Sequence, residues 1–288
     1  MEEEQEEEEE EEAQEFKHEN DHHLLFSSIF GDSDSEESED WLYGSPHHTN
    51  ERWESVEHVD GLWRCNHFLS PNQQQRILKA IETDCGVFLY LWWTQAMRFG
   101  RLPDWALDLS SQIHNSVLKF KSMDSKCSTK TDPISSPSTA AQSQCPLPED
   151  ILLREPLFDQ MIANSYEPGE GITAHVDLLR FEDGIAIVSL LSPCVMCFRS
   201  VPDPLCSYPN KVNGHINEEN QLNDTGAKVQ ILLSPGDLIV MSGTARYEWT
   251  HEINRNKDQQ VWQGEALKQE RRISVTLRRL CPQLVLGD

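Results

Sequence analysis

The chain has 288 residues, of which 38% are hydrophobic and 25% charged, so it is long enough for one large folded domain and is unlike a collagen, a coiled coil or a wholly disordered chain. Its formal net charge of -25 lies mostly at the N-terminus: residues 1–60 hold 23 acidic and two basic residues, whereas residues 61–288 hold 26 and 22. Because this second part is close to neutral, the net charge does not exclude a nucleic-acid partner.

Residues 1–50 predict a disordered acidic tail. Ten of the first twelve residues are Glu, and Asp32–Asp40 is a run of Ser, Asp and Glu, so the segment holds too little apolar surface to form a core. Within it, the apolar stretch Leu24–Phe30 is a candidate docking segment for a protein partner, although incidental hydrophobic residues in a solvated tail explain it as well.

The cellular compartment is inferred from apolar runs and cysteines. No apolar run reaches the roughly 18 to 20 residues of a membrane span, and the Glu-rich N-terminus is unlike a signal peptide. The eight cysteines are scattered along the chain, which suits a reducing compartment. We therefore expect no membrane partner and a location in the nucleus and/or the cytoplasm.

Two helices are predicted near the start of a domain spanning residues 61–283. Ser70-Pro71-Asn72-Gln73 has the pattern of a capping box with proline at the first helical position, which predicts a helix through about Thr83. A second helix begins near Pro103, because apolar residues recur every fourth position. These residues are Trp105, Leu109, Ile113 and Val117. The Ser-, Thr- and Pro-rich residues 121–148 predict a flexible insertion within the domain.

Strand-like alternation follows from about Leu157. The predicted strands are Met161–Tyr166, Ile172–Asp177, Ile185–Leu191, Val195–Phe198, Val229–Leu233, Leu238–Ser242 and Arg272–Leu280, and residues 199–227 predict a polar loop. Several short strands after two helices predict an α+β fold, with a double-stranded β-helix (jelly-roll) core flanked by N-terminal helices.

A candidate metal centre begins with His175-Val176-Asp177. In a strand, residues two apart face the same side, so both side chains can reach one ion. Two histidines and one carboxylate form the facial triad of non-haem Fe(II) oxygenases. The third ligand is expected from a later strand, where His251 follows an apolar run and His215 lies in the polar loop, so His251 is preferred. A second His-x-Asp at residues 58–60 borders the acidic tail and is rejected.

A candidate anion site lies on the last predicted strand. Its polar face carries Arg272, Ser274, Thr276 and Arg278. Because two guanidinium groups turned into a barrel need anionic partners, a dicarboxylate cosubstrate would fit there. Asn164 and Tyr166, two apart on another strand, could donate hydrogen bonds to the same ligand.

Taken together, Asn-x-Tyr, His-x-Asp, His and Arg-x-Ser-x-Thr-x-Arg resemble the AlkB family of Fe(II)- and 2-oxoglutarate-dependent dioxygenases over roughly residues 61–281. Residues 164–177 and 246–251 are especially similar to the branch that acts on tRNA wobble uridines. The resemblance implies that iron is held by His175, Asp177 and His251. It implies that 2-oxoglutarate is held by Asn164, Tyr166, Arg272, Ser274 and Arg278, where Ser274 replaces the Asn of many members. Dioxygen is then the second substrate, with ascorbate as the expected reductant.

Two differences bear on the substrate. DNA-repair members commonly have an acidic residue where this chain has Leu179, and these 288 residues show neither the RNA-recognition module nor the methyltransferase domain of the tRNA-modifying branch in animals. The leading hypothesis is hydroxylation or oxidative demethylation of a modified nucleotide, with RNA, including tRNA, preferred over DNA. The alternatives are a protein substrate for the same chemistry and a non-catalytic scaffold.

Other residues have less specific patterns. Cys194-Val-Met-Cys197 could form a zinc site with Cys206 and His215, but residues three apart on a strand face opposite sides, which favours buried, unbonded thiols. Further side chains are candidates for contacts with nucleic acid, although core packing explains most of the aromatic ones. These side chains are Trp92, Trp93, Tyr247 and Trp249, together with Arg98, Arg101 and Arg180.

Overall fold

A computed structural model describes residues 51–85, 95–127, 145–201, 226–256 and 260–282. The predicted disordered tail at residues 1–50 lies outside these ranges, so it stays a prediction, as do the domain boundaries. Four residues considered above also lie outside them, namely Trp92, Trp93, Cys206 and His215. The helices of the described part are α1 (Pro71–Cys85), α2 (Asp104–Cys127), α3 (Glu149–Leu152) and α4 (Thr244–Tyr247).

Helix α1 begins with the predicted capping box. The backbone N–H and the hydroxyl of Ser70 each donate to Gln73 Oε1 at 2.8 Å, and the Gln73 N–H donates to Ser70 Oγ at 3.4 Å. This exchange satisfies donors that the first turn of a helix leaves unpaired. The helix therefore starts where the sequence predicts, and it ends at Cys85, two residues beyond the predicted end.

Helix α2 buries the predicted apolar stripe, because Leu109, Ile113 and Val117 are fully inaccessible to solvent. The helix continues to Cys127, so the predicted start of the flexible insertion, residue 121, lies inside it. Residues 121–127 contain no proline or glycine that would end a helix. The polar composition was therefore a poor guide to this boundary.

The strands form two antiparallel sheets and one short hairpin. The seven-stranded sheet contains β1 (Arg52–Ser55), β2 (Leu62–Asn66), β3 (Gln95–Phe99), β4 (Gln160–Tyr166), β6 (Ile185–Leu190), β9 (Leu238–Met241) and β13 (Arg272–Arg278). Its spatial order is β1-β2-β9-β6-β13-β4-β3. The four-stranded sheet contains β5 (Ile172–His175), β7 (Cys194–Ser200), β8 (Lys228–Leu233) and β10 (Trp249–Ile253). Its spatial order is β5-β10-β7-β8. The hairpin pairs β11 (Val261–Trp262) with β12 (Glu265–Ala266).

Two layers of core follow from the alternation of the central strands. On β6, Ala186 and Val188 belong to the apolar cluster that includes the buried residues of α1 and α2, whereas Ile185 and Ile187 belong to a second cluster with β7, β8 and β10. The seven-stranded sheet therefore has helices on one face and the four-stranded sheet on the other. This arrangement confirms the predicted α+β jelly-roll with flanking helices.

All seven predicted strands are present, with ends that differ by up to two residues. The two-residue strands β11 and β12 were not predicted, and neither were β1, β2, β3 and β10. Each of these last four mixes polar or charged residues with apolar ones over only four or five positions, which hides the alternation. None of the helices in the described residues combines the length and the apolar character needed to cross a membrane.

Candidate metal centre

The two histidines of the predicted triad meet across a pair of neighbouring strands. Antiparallel pairing places His251 of β10 directly opposite His175 of β5, with the ring centroids 4.3 Å apart. Asp177 joins them from the chain just beyond β5: its Oδ2 is 3.7 Å from His251 Nε2. One ligand atom from each of the three residues lies within 4.8 Å of the others, so the structure brings the predicted triad together.

The position of Asp177 corrects one prediction. His175 and Asp177 were predicted on one face of a single strand, but β5 ends at His175, and Asp177 lies in the loop that leads to β6. The direction of its side chain is therefore set by the conformation of the loop and by its own contacts, and not by the alternation of side chains along a strand. Asp177 and His251 are buried, and His175 is partly exposed.

Both imidazoles can offer a ring nitrogen to a cation. His175 Nδ1 lies 2.8 Å from the carbonyl oxygen of Thr173, to which the N–H tautomer donates, so the Nε2 lone pair remains available. Burial lowers the pKa of His251 to about 4, although the neighbouring Asp177 carboxylate partly opposes this effect. His251 is accordingly neutral near pH 7 and can offer a lone pair to a cation.

The carboxylate of Asp177 is ionised and only partly satisfied. Burial would raise its pKa, but the charge of Arg278 and smaller contributions from neighbouring residues lower the pKa below its usual value. Arg278 Nη2 lies 2.7 Å from Asp177 Oδ1. Oδ2 is buried without a hydrogen-bond partner among the described residues. An unpartnered anionic oxygen beside two imidazole nitrogens suits a divalent first-row cation, Fe(II) among them.

The predicted cosubstrate residues share one face of β13 and β4. In the register of these strands, Arg272 is opposite Tyr166 and Ser274 is opposite Asn164. The Arg272 guanidinium carbon lies 4.1 Å from the centroid of the Tyr166 ring. Because Ile273, Val275 and Leu277 belong to the helix-side core, the polar face of β13 points between the sheets, as predicted.

Two guanidinium atoms in this region lack partners in the described part of the chain. Arg272 Nη2 and Arg278 Nε are both buried without a hydrogen bond. A shallow surface pocket borders Arg272, Tyr166, Cys194 and Ile253. Each unsatisfied cationic donor can bind an anionic group, such as a carboxylate of 2-oxoglutarate.

Three side chains that contact the site had no predicted role. Gln95 of β3 donates from Nε2 to Asn164 Oδ1 at 2.8 Å, the Phe181 ring lies 4.8 Å from the Arg278 guanidinium carbon, and Arg246 contacts the loop of Asp177. Gln95 gives no sequence signal because its partner is 69 residues away. Arg246 could have been noticed as a charged residue between an apolar strand and His251.

The residues with less specific patterns are not assembled into a second site. Within the described ranges, the triad is the only group of three or more His, Cys, Asp or Glu side chains close enough to share a metal. Cys194 and Cys197 are buried, and burial raises the pKa of both thiols. Trp249 is buried, whereas the Tyr247 side chain is exposed.

The basic candidates for phosphate contacts differ in their surroundings. Arg98 donates to the Asp84 carbonyl oxygen at 3.4 Å, and the Arg180 guanidinium carbon lies 5.2 Å from the centroid of the Phe181 ring. Arg98, Arg101 and Arg180 are all exposed. Of the three, Arg180 is nearest in sequence to the triad, three residues after Asp177.

Comparison with known proteins identifies a family over most of the chain. A sequence model of the 2OG-Fe(II) oxygenase superfamily matches residues 61–278. The "Alkylated DNA repair protein ALKBH8 homolog" of Arabidopsis thaliana is 32% identical over 124 residues, which are 43% of this chain and 34% of that protein.

Two animal proteins show similar identity. The "tRNA (carboxymethyluridine(34)-5-O)-methyltransferase ALKBH8" of Mus musculus is 37% identical over 38% of this chain and 13% of its own length. The "Alpha-ketoglutarate-dependent dioxygenase alkB homolog 7, mitochondrial" of Bos taurus is 35% identical over 40% of this chain and 42% of its own length. The chain thus spans less than half the length of each of these three relatives.

Proposed function

The chain belongs to the 2OG-Fe(II) oxygenase superfamily and is AlkB-like within it, and we propose that it hydroxylates or oxidatively demethylates a modified nucleotide, with RNA preferred over DNA. One observation carries the chemistry: a His-Asp-His cluster with an unpartnered carboxylate oxygen is paired with Arg278, and Arg278 and Arg272 each hold a buried N–H group without a hydrogen bond. A scaffold protein has no need for such an arrangement.

The ligand roles follow from the donor atoms. His175, Asp177 and His251 would hold Fe(II), and Arg272, Arg278, Tyr166, Asn164 and Ser274 would hold 2-oxoglutarate. When bound, the metal and 2-oxoglutarate together activate dioxygen, so that a substrate C–H bond is hydroxylated while 2-oxoglutarate is converted to succinate and carbon dioxide. If the carbon is an N-linked methyl group, its hydroxylated form leaves as formaldehyde.

The chain's own residues bind, orient and exclude water. The Arg272 guanidinium, stacked on Tyr166, would pair with a carboxylate of 2-oxoglutarate. Ser274 and Asn164 form the facing pair two residues further along the same two strands. Arg278 keeps Asp177 ionised and therefore able to bind a cation. The burial of Asp177, His251 and Arg272 limits the access of water to the reacting groups.

The substrate class is supported by the relatives and by the surface beside the triad. The names of the Arabidopsis and mouse relatives refer to alkylated DNA and to a tRNA uridine. Leu178 and Leu179, directly after Asp177, are 53% and 54% exposed, and Tyr247 is 38% exposed. Apolar and aromatic side chains of this kind can contact the face of a nucleobase.

A protein substrate is the second candidate. Residues 61–288 hold 26 acidic and 22 basic residues, so the domain lacks the basic excess that is typical of nucleic-acid-binding domains. The same oxygenase chemistry can act on a side chain of a protein. The two candidates differ only in the substrate that stimulates turnover.

The first experiment measures succinate formed from 2-oxoglutarate in the presence of Fe(II) and ascorbate. The reactions contain no substrate, total tRNA, messenger RNA or single-stranded DNA. His251→Ala removes a metal ligand, and His114→Ala serves as the matched control, because His114 contacts the Leu152 carbonyl oxygen away from the triad. Stimulation by one RNA class that survives in His114→Ala and is lost in His251→Ala would support the proposal.

Two other results have different meanings. Binding of Fe(II) and 2-oxoglutarate without stimulation by any nucleic acid would refute the nucleotide substrate and favour a protein. Failure of the wild type to bind either ligand would refute the oxygenase itself.

A further inference from the structure

Arg246 is a buried charged residue next to the metal centre. It lies in α4, is 2% exposed and is among the largest fully buried side chains of the described residues. Its Nη1 donates to the carbonyl oxygen of Asp177 at 3.0 Å, and its Nη2 donates to those of Leu178 at 2.8 Å and Phe181 at 3.1 Å. One guanidinium group therefore binds three carbonyl groups of a single loop.

That loop, residues 176–184, supplies the one triad ligand that no strand positions. His175 and His251 are fixed by the pairing of β5 with β10, whereas Asp177 follows the last residue of β5. The backbone carbonyl of Asp177 is bound by Arg246, and its carboxylate is bound by Arg278. The two arginines thus restrain the main chain and the side chain of the same residue.

A second side chain connects the same two segments in the opposite direction. The carboxylate of Asp183, in the loop, accepts hydrogen bonds from the backbone N–H of Gly243 at 2.9 and 3.1 Å. Gly243 directly precedes α4, and α4 leads into β10, which carries His251. The loop of Asp177 and the segment that leads to His251 are therefore linked by two side chains, one from each.

We propose that Arg246 is a positioning residue for the metal centre, which keeps the backbone at Asp177 in place so that the carboxylate stays within reach of both histidines. The proposal rests on the proposed function, since it concerns the geometry of the metal ligands. A planar guanidinium with several N–H groups can donate to three carbonyl oxygens at once, whereas a lysine ammonium is smaller and lacks this fork. Contacts that orient metal ligands commonly affect metal affinity by about 10- to 100-fold.

The test measures the affinity of the full-length protein for Mn(II), in the presence of 2-oxoglutarate, by calorimetry. The variants are Arg246→Met, Arg246→Lys and Asp183→Ala. Arg64→Met is the matched control, because Arg64 also donates to a backbone carbonyl, that of Leu232 at 2.7 Å, and lies on β2 away from the triad. The visible absorption spectrum of bound Co(II) reports the coordination geometry in each protein.

We expect Arg246→Met to weaken Mn(II) binding by about 10- to 100-fold and to change the Co(II) spectrum. Arg246→Lys should restore part of the affinity, and Asp183→Ala should weaken it in the same direction. Arg64→Met should lower the thermal unfolding temperature without changing the affinity. This combination separates positioning of the ligands from a general loss of stability.

Wild-type affinity and an unchanged Co(II) spectrum in folded Arg246→Met would overturn the role of Arg246. If that variant does not fold, Arg246→Lys decides the question, because a lysine cannot donate to all three carbonyl groups, and wild-type affinity with an unchanged Co(II) spectrum in Arg246→Lys would overturn the proposal equally. A wild-type protein that binds no Mn(II) would instead refute the metal site on which both proposals depend.

Discussion

Replacing Arg278 with methionine should show how much the buried ion pair with Asp177 contributes to the free energy of unfolding. The two side chains are 14% and 4% exposed, with the closest N and O atoms 2.7 Å apart. Removing one partner of a buried pair leaves the other charge uncompensated and typically costs about 3 to 5 kcal/mol. Because Arg278 retains some exposure and Arg246 remains nearby, we expect the lower end, about 3 kcal/mol at pH 7 in the metal-free protein.

The pH dependence of this loss follows from the pKa of Asp177. In the wild type, burial raises the pKa of Asp177, but the charge of Arg278 and smaller contributions from neighbouring residues lower it by a larger amount. The net shift is therefore downward. A carboxylate with a lowered pKa stabilises the folded state above its unfolded pKa of about 3.9, and this contribution is lost as the pH falls through the folded value. Removing Arg278 takes away the largest charge that opposes the effect of burial, so the pKa of Asp177 should be higher in the variant than in the wild type and the folded variant should take up a proton more readily. The difference from the wild type should therefore shrink between pH 7 and pH 5.

The assay is urea unfolding followed by tryptophan fluorescence at both pH values, with a chelator present. Arg271→Met is the control, because Arg271 pairs with Glu167 at 3.7 Å, where the side chains are 39% and 64% exposed, and the variant otherwise loses, within the described residues, only the hydrogen bond from Arg271 Nε to Ser165 Oγ at 3.2 Å. An exposed pair contributes at most about 1 kcal/mol, so this variant should lose little stability. Equal losses in the two variants, or a loss in Arg278→Met that does not change with pH, would refute the reasoning.

Further predictions concern the fold and are checked by the same unfolding assay. Ser70→Ala removes both hydrogen bonds of the Ser70 hydroxyl in the capping box of α1 and should cost about 1 kcal/mol, whereas no change in stability would mean that water replaces the hydroxyl. Ile113→Ala in the buried stripe of α2 should cost about 2 to 5 kcal/mol. Leu118→Ala, at a side chain that is 41% exposed, should cost less than about 1 kcal/mol, and similar losses at both positions would contradict the proposed packing. Gly61→Ala should lower the unfolding temperature, because Gly61 has a φ of +82° and an added Cβ would lie 1.9 Å from the Ser242 carbonyl oxygen.

The parts of the fold that were predicted from the sequence are those in which one side chain type repeats with a fixed period. Leu109, Ile113 and Val117 mark the buried face of α2, and the alternation from Arg272 to Arg278 separates the core face of β13 from its polar face. Strand β10 has no such signal. Its five residues include Thr250, His251 and Glu252, and its place in the sheet depends on pairing with β5 and β7, which are distant in sequence.

The chemistry of the metal ligands can be predicted from residue types, but the position of Asp177 cannot. A histidine or a carboxylate is recognisable in a sequence because few side chains offer those donor atoms. Arg246 donates to backbone carbonyl oxygens, which every residue has. Nothing in the sequence of the loop therefore indicates that the loop accepts these hydrogen bonds. The link is visible only once the fold has brought α4 against residues 177–181. Strand β5 ends at His175 and not, as was predicted, at Asp177. Because strand pairing therefore does not hold Asp177, a side chain from another segment, Arg246, binds its backbone.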